Sequence, residues 1–258
     1  MTTDDKPVAQ HMLVPAIIRT SDHRYIYEGQ EYPGTTGILK VLDKSDALMA
    51  WAARQTATAA VRLYGENIAE GRNAFDALML SVGPEGTIRA LGERSRWQRD
   101  EAAQLGSAVH KLAETRQYDH ADEGVAKRAK AYADWWDASG WTRPMVEVIG
   151  VNPSVGYGGT ADLIARDADG RLTLADIKTG KGVYREAILQ LAAYGDFTLI
   201  LLPDGRTAVM PIIERYVILH VTLDGVREID LSVGQDERMA FLDCVDLYRW
   251  TKKVKGML

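Results

Sequence analysis

The chain has 258 residues, 46% of them hydrophobic and 26% charged, an ordinary globular composition with length for one large domain or two small ones. A formal net charge of -5 excludes a general attraction to polyanions, so any nucleic-acid binding has to be local or metal-mediated. The single cysteine, Cys244, excludes an intramolecular disulfide and a four-cysteine zinc or iron–sulfur site, and a reducing cytoplasm is the simplest home.

Residues up to about Ala16 lack periodicity and read as a loose tail, with neither the basic start nor the apolar run of a secretory signal. The segment IIRTSDHRYIYEGQEYPG alternates apolar and polar residues and predicts a hairpin turning near Glu28-Gly29. Ser45 is an N-cap for a helix that stops at Gly65, and a second helix is expected to about Leu80. Gly83-Pro84-Glu85-Gly86 interrupts the chain, and helical spacing then resumes through SRWQRDEAAQLGSAVHKLAETRQY. DEGVAKRAKAYADWWDAS is a further amphipathic helix ending at Gly140.

Beyond Gly140 the pattern shifts to strands: MVEVIGV, VGYGGTADLIAR and RLTLADIK, then a helix over REAILQLAAYGDF, strands RYVILHVTL and REIDLS, and a closing helix QDERMAFLDCVDLYRWTKKV. The most apolar stretch, Phe197 to Pro203, is too short to cross a bilayer, and no membrane partner is expected. With no internal repeat or linker, the economical reading is one α+β domain over 1–258, with a hairpin and helices in 1–100.

Chemistry concentrates in GGTADLIARDADGRLTLADIKTGK, Gly158 to Lys181. The turn signal Asp167-Ala168-Asp169-Gly170 between apolar runs predicts a β-hairpin. Asp162 falls on its first strand, and Asp176 and Lys178, two apart on the second, share a face. Gly158-Gly159-Thr160 lets the backbone come close to a ligand or another strand. Asp162, Asp176 and the main-chain carbonyl of Ile177 offer the hard oxygens that suit Mg²⁺ or Mn²⁺. A cation there activates water and neutralises charge on a phosphoryl oxygen, while Lys178 orients the nucleophile or stabilises the transition state. On the residues alone, a salt-bridged cluster on a solvated sheet face fits the same tripeptide.

GTADLI, LADIKTGK and AILQLAAY, preceded by LGSAVHKLAE, resemble the PD-(D/E)XK nuclease superfamily in its RecB-like exonuclease branch; the motifs run in order from Leu105 to Tyr194. The resemblance implies a restriction-endonuclease-like core over 101–258, a central mixed sheet flanked by helices behind a helical N-terminal region. It further implies that His110, Asp162, Asp176 and the Ile177 carbonyl hold one or two Mg²⁺ or Mn²⁺ ions and that Lys178 is the catalytic lysine. Gln190 and Tyr194 match a Gln-x-x-x-Tyr pattern whose glutamine the family uses near the active site and DNA, and positions four apart share a helix face; on the residues alone, a core Tyr with a capping or surface Gln is the favoured reading.

Glu147, on the strand before Asp162, is either a further acid near the metals or an exposed strand carboxylate. Glu114, four residues after His110, either joins the site or pairs on the helix surface with Lys111. The name-giving Pro-Asp is Ala161-Asp162 here, and the second acid is Asp where Glu is frequent. The four-cysteine iron–sulfur cluster of some RecB-like nucleases cannot form. YPGTTGILKVLDKSDALMAWAA resembles the N-terminal segment of phage-type members, with Leu48, Trp51 and Ala52 reading as a core stripe. Lys181, Arg185, the arginines 94, 96 and 99 around Trp97, and Lys127, Arg128 and Lys130 fit phosphate contacts and solvated helix faces alike.

The expectation is a metal-dependent DNA exonuclease for recombination, repair or phage DNA processing. Its setting is the cytoplasm of a bacterium or phage-infected host, and its partners are DNA and a single-strand-annealing, recombination or helicase protein. The alternatives are a structure-specific endonuclease and a catalytically silent DNA- or protein-binding module. The oligomeric state is not legible in the sequence.

Overall fold

A computed structural model describes residues 16–42, 45–65, 74–115, 120–180, 182 and 185–256. The expected tail over residues 1–15, the start of the second predicted helix and Lys181 lie outside the described residues, as do the side chains of Leu48, Trp51, Arg94, Arg96, Trp97, Arg99 and Glu114. In chain order the elements are β1 (Ile18–Arg19), β2 (Tyr25–Tyr27), β3 (Gln30–Tyr32), α1 (Thr35–Ile38) with a 3-10 turn over Leu39–Val41, α2 (Ser45–Gly65), α3 (Ala74–Thr115) and α4 (Glu123–Ser139). Then come β4 (Thr142–Asn152), β5 (Tyr157–Arg166), β6 (Leu172–Lys178), α5 (Glu186–Gly195), β7 (Leu199–Leu201), β8 (Thr207–Val209), β9 (Arg215–Val221), β10 (Val226–Leu231) and α6 (Gln235–Lys255).

The chain forms two compact units. One comprises residues 42–130 with 179–181, and the other comprises residues 1–41, 131–178 and 182–258. The first of these is helical. α2 runs over the span predicted from the Ser45 cap and the Gly65 stop. α3 is two helices joined at a kink, because Gly83 takes φ 72 and Pro84 follows it; a glycine supplies the left-handed backbone and a proline opens the next helix.

The other unit is α+β, with a mixed central sheet flanked by helices. Its seven strands run β10-β9-β6-β5-β4-β7-β8. All neighbours are antiparallel except β6 and β9, which pair in parallel from Thr173↔Arg215 to Lys178↔His220. Leu163, Ile164, Leu174, Ala175, Val217, Ile218 and Leu219 are all fully buried, so the central strands are covered on both faces and read as continuous apolar runs. Tyr157 and Phe241 meet edge to face at 4.9 Å, which fastens α6 to β5. Trp135 and Trp141 lie 5.3 Å apart. Arg215, over the Trp141 ring at 5.9 Å, gathers Asp167, Glu228 and Asp230 by ion pairs.

The predicted N-terminal hairpin is present as β2 and β3. Glu28 and Gly29 both take positive φ, 51 and 76, the turn that matches strand twist. A third strand, β1, completes a small antiparallel sheet. The β7–β8 hairpin was not foreseen; it turns at Asp204-Gly205, where Gly205 has φ 82. Among the described residues no helix is long and apolar enough to cross a membrane.

Candidate active site

The β5–β6 hairpin forms as its turn residues dictate. The Asp167 carboxylate accepts the amide protons of Asp169 at 3.0 Å and Arg171 at 2.9 Å, the habit that makes Asp a turn residue. Gly170 takes φ 81. The ladder then runs from Arg166↔Leu172 to Leu163↔Ala175, and the next step in that register sets Asp162 against Asp176. There the backbone pairing gives way to a side chain: the Asp162 carboxylate accepts the Ile177 amide proton at 2.7 Å. On the other side of β5, Val146↔Leu163 and Val148↔Ala161 set Glu147 against Asp162. Three adjacent strands therefore bring Glu147, Asp162 and Asp176 to one level.

Of these acids Asp176 is buried, while Asp162 and Glu147 are half-buried. Asp176 is 0% exposed, and its Oδ2 lies 2.6 Å from Lys178 Nζ. Apart from that ion pair, neither Asp176 carboxylate oxygen meets a hydrogen-bond donor among the described residues. Burial, and then the neighbouring Asp176 charge, push the Asp162 carboxyl well above the usual carboxylate range, against the pull of Lys178 and the Ile177 amide. Burial would lower the Lys178 ammonium, but Asp176 and Asp162 outweigh it and raise its pKa.

α5 supplies Gln190 and Tyr194 together. Gln190 Nε2 donates to Tyr194 Oη at 2.9 Å, as their spacing of four predicts. Tyr194 is buried, and burial followed by the charges of Asp162 and Asp176 raises its phenol well above normal, so the ring lies within electrostatic reach of both aspartates. Gly159 makes that approach possible: a Cβ there would stand 2.6 Å from the Tyr194 ring and 2.9 Å from Phe197 and from the Thr35 hydroxyl. A Cβ on Gly158 would fall 2.5 Å from the Tyr25 ring. The close approach expected of the glycine pair is made to aromatic side chains of the same chain.

Glu147 has a feature the sequence did not announce. Its φ is 49 within an extended strand, a left-handed conformation that costs a non-glycine residue about 1–2 kcal/mol. Its carboxylate Oε2 lies 3.6 Å from Arg19 Nη1, so the exposed-carboxylate alternative gives way to a half-buried, paired one. Arg19, Tyr25 and Thr35 were missed as neighbours of the site, since their approach depends on strand docking that no local pattern encodes.

His110 is half-buried on α3, in the helical unit, and Glu114 follows on the same helix. Among the basic runs, Lys127 pairs with Glu123 one turn earlier at 2.6 Å, and Arg128 Nη1 donates to the Gly124 carbonyl at 3.0 Å. Both are engaged within their own helix. Arg185 is exposed at the start of α5.

No family model and no curated protein matches the sequence. Among solved structures, one described as the crystal structure of SSO0001 is similar at 17% identity, over 58% of this chain and 70% of that one, with a TM-score of 0.31. A likeness that loose does not bear on the chemistry of the site.

Proposed function

We propose that this chain is a metal-dependent DNA exonuclease with a PD-(D/E)XK core of the RecB-like type. The observation that carries the reading is the Asp176 carboxylate, wholly buried beside Asp162, with Lys178 as its ion-pair partner and no hydrogen-bond donor besides among the described residues. A surface salt-bridge cluster leaves its acids in water, where they are solvated at little cost. Burying the Asp176 carboxylate beside the half-buried Asp162 is unfavourable by both desolvation and repulsion, and a divalent cation relieves both.

The donors fit that cation. Asp162 and Asp176 supply hard oxygens, and the resemblance adds the Ile177 carbonyl and His110 for one or two Mg²⁺ or Mn²⁺ ions. When bound, such an ion polarises a phosphoryl oxygen and lowers the pKa of its water. Lys178, its pKa raised by the aspartates, keeps its proton at neutral pH, which suits it to hold developing negative charge on the phosphate rather than to accept a proton. The Tyr194 phenol, raised likewise, is a hydrogen-bond donor that Gln190 orients. The backbone conformation of Glu147 aims a third acid at the same level of the sheet. No iron–sulfur cluster belongs to this reading, since the chain holds one cysteine.

With the activity come the settings that the resemblance implies: recombination, repair or phage DNA processing in a bacterial or phage-infected cytoplasm, with a single-strand-annealing, recombination or helicase partner. The test is cleavage of end-labelled linear single- and double-stranded DNA and of closed circular DNA, with Mg²⁺, Mn²⁺ or chelator, by the natural protein and Lys178→Ala. Loss of linear DNA alone, abolished by chelator and in the variant, is the expected result. Cutting of circles makes the protein an endonuclease, and metal-independent binding without cleavage makes it a silent module.

A further inference from the structure

The small N-terminal sheet is fastened to the site end of β5. The Gly158 amide donates to the Pro33 carbonyl at 3.0 Å, the Thr35 hydroxyl donates to the Gly158 carbonyl at 2.9 Å, and the Tyr25 hydroxyl meets Thr160 Oγ1 at 2.9 Å. Tyr25 settles against Gly158 where any Cβ would collide with it. In the β1–β2 register Arg19 pairs with Tyr25, so this docking delivers Arg19 to the carboxylate row.

The guanidinium of Arg19 is held from two sides. Nη1 lies 3.6 Å from Glu147 Oε2, and Nη2 lies 2.7 Å from His23 Nδ1. Glu147 is itself constrained by its left-handed backbone and sits level with Asp162. A cation drawn to this row meets a guanidinium already seated on one of its acids. Like charges at such separations repel even in a half-solvated setting.

We propose that Arg19 is a positioning residue of the site, holding and neutralising the Glu147 carboxylate and competing with a divalent cation for it. This rests on the reading of the carboxylate row as a cation site. The pair sets the affinity of that row, so the arginine governs how much Mg²⁺ or Mn²⁺ the protein needs.

The experiment is Mn²⁺ binding to the full chain without DNA, by calorimetry and by the spin-resonance signal of free Mn²⁺. It compares the natural protein with R19Q, R19K, E147Q, the R19Q/E147Q double variant and D176N. R19Q is expected to tighten Mn²⁺ binding about threefold to tenfold, R19K to leave it unchanged, and the R19Q effect to vanish in the E147Q background. Arg19→Met, which keeps the apolar stem without the charge, serves if R19Q does not fold. Equal tightening in both backgrounds would reduce Arg19 to a distant charge and overturn the proposal, as would weaker or unaltered binding in R19Q. Mn²⁺ bound by the natural protein and lost in D176N, with no effect of R19Q, overturns this proposal alone. Absence of Mn²⁺ binding in the natural protein overturns the cation site with it.

Discussion

The Asp162 carboxylate takes the Ile177 amide proton at 2.7 Å where the β5–β6 backbone ladder ends at Leu163↔Ala175. One side chain thus takes over where the backbone pairing of these two strands stops. Asp162→Ala removes that acceptor from the amide of Ile177, a residue 4% exposed, and is expected to cost about 1–3 kcal/mol. Asp162→Asn keeps an acceptor and removes a charge beside Asp176, and is expected to be at least as stable as the natural protein at neutral pH. Urea denaturation in chelator measures both; equal losses would deny the hydrogen bond its role.

The same residue predicts a pH dependence. Burial, and then the Asp176 charge beside it, hold its folded pKa well above the ordinary aspartate range. The folded state therefore binds this proton more tightly than the unfolded chain. Its contribution to stability is full below the unfolded value and is lost as pH rises through the folded one. The melting temperature of Asp162→Asn should gain on that of the natural protein across this window, from about pH 4 upward. Parallel curves would contradict the assigned shift.

Lys178→Ala leaves the buried Asp176 carboxylate without its ion-pair partner. Because the Lys178 side chain is 32% exposed, water recovers part of the loss, and the expected destabilisation is about 1–3 kcal/mol. Asp176→Asn together with Lys178→Met should cost less than the two single changes summed. A double-mutant cycle by chemical denaturation reads the coupling, and strict additivity would refute it.

Glu147→Gly and Glu147→Ala both remove the carboxylate and its pairing with Arg19, and differ only by a Cβ at φ 49. The glycine variant should be the more stable by about 1–2 kcal/mol. Thermal unfolding tests this directly. Equal stabilities would mean that the strand relaxes out of the left-handed region at no cost.

Gly159→Ala forces a Cβ to within 2.6 Å of the Tyr194 ring and is expected to cost about 1–3 kcal/mol by overpacking. Gly92→Ala, inside α3 with nothing within 4 Å of the added carbon, should instead gain up to about 1 kcal/mol from helix propensity. Opposite signs in denaturant midpoints support the packing argument, and a neutral Gly159 variant would oppose it.

Local chemistry made much of this legible in the sequence. Ser45 and Gly65 mark the ends of α2, and Glu28-Gly29 and Asp167-Gly170 build turns from their own side chains and φ preferences. Asp176 and Lys178 share a face because strands alternate, and Gln190 meets Tyr194 because helices repeat. What escaped was decided at a distance. β7 and β8 have three residues each, too few to show a period, although Asp204-Gly205 marked their turn. The approach of Arg19 to Glu147 follows from where the N-terminal sheet docks, and no alternation in either segment encodes it.

The parallel pairing of β6 with β9 also bears on how the chain reaches this state. The hairpin that carries Asp162 and Asp176 closes through a short loop, whereas β9 can reach its seat only after α5, β7 and β8 have crossed over. Contacts between residues remote in sequence close late, because the loop entropy is spent before they repay it. The acids are thus expected to meet while one flank of β6 is still open to water, with their desolvation as a later event. Pulse-labelled hydrogen exchange should find the amides shared by β5 and β6 protected before those shared by β6 and β9, with the reverse order excluding this sequence of assembly. Until that flank is covered, β6 offers an unpaired backbone edge to any neighbouring nascent chain.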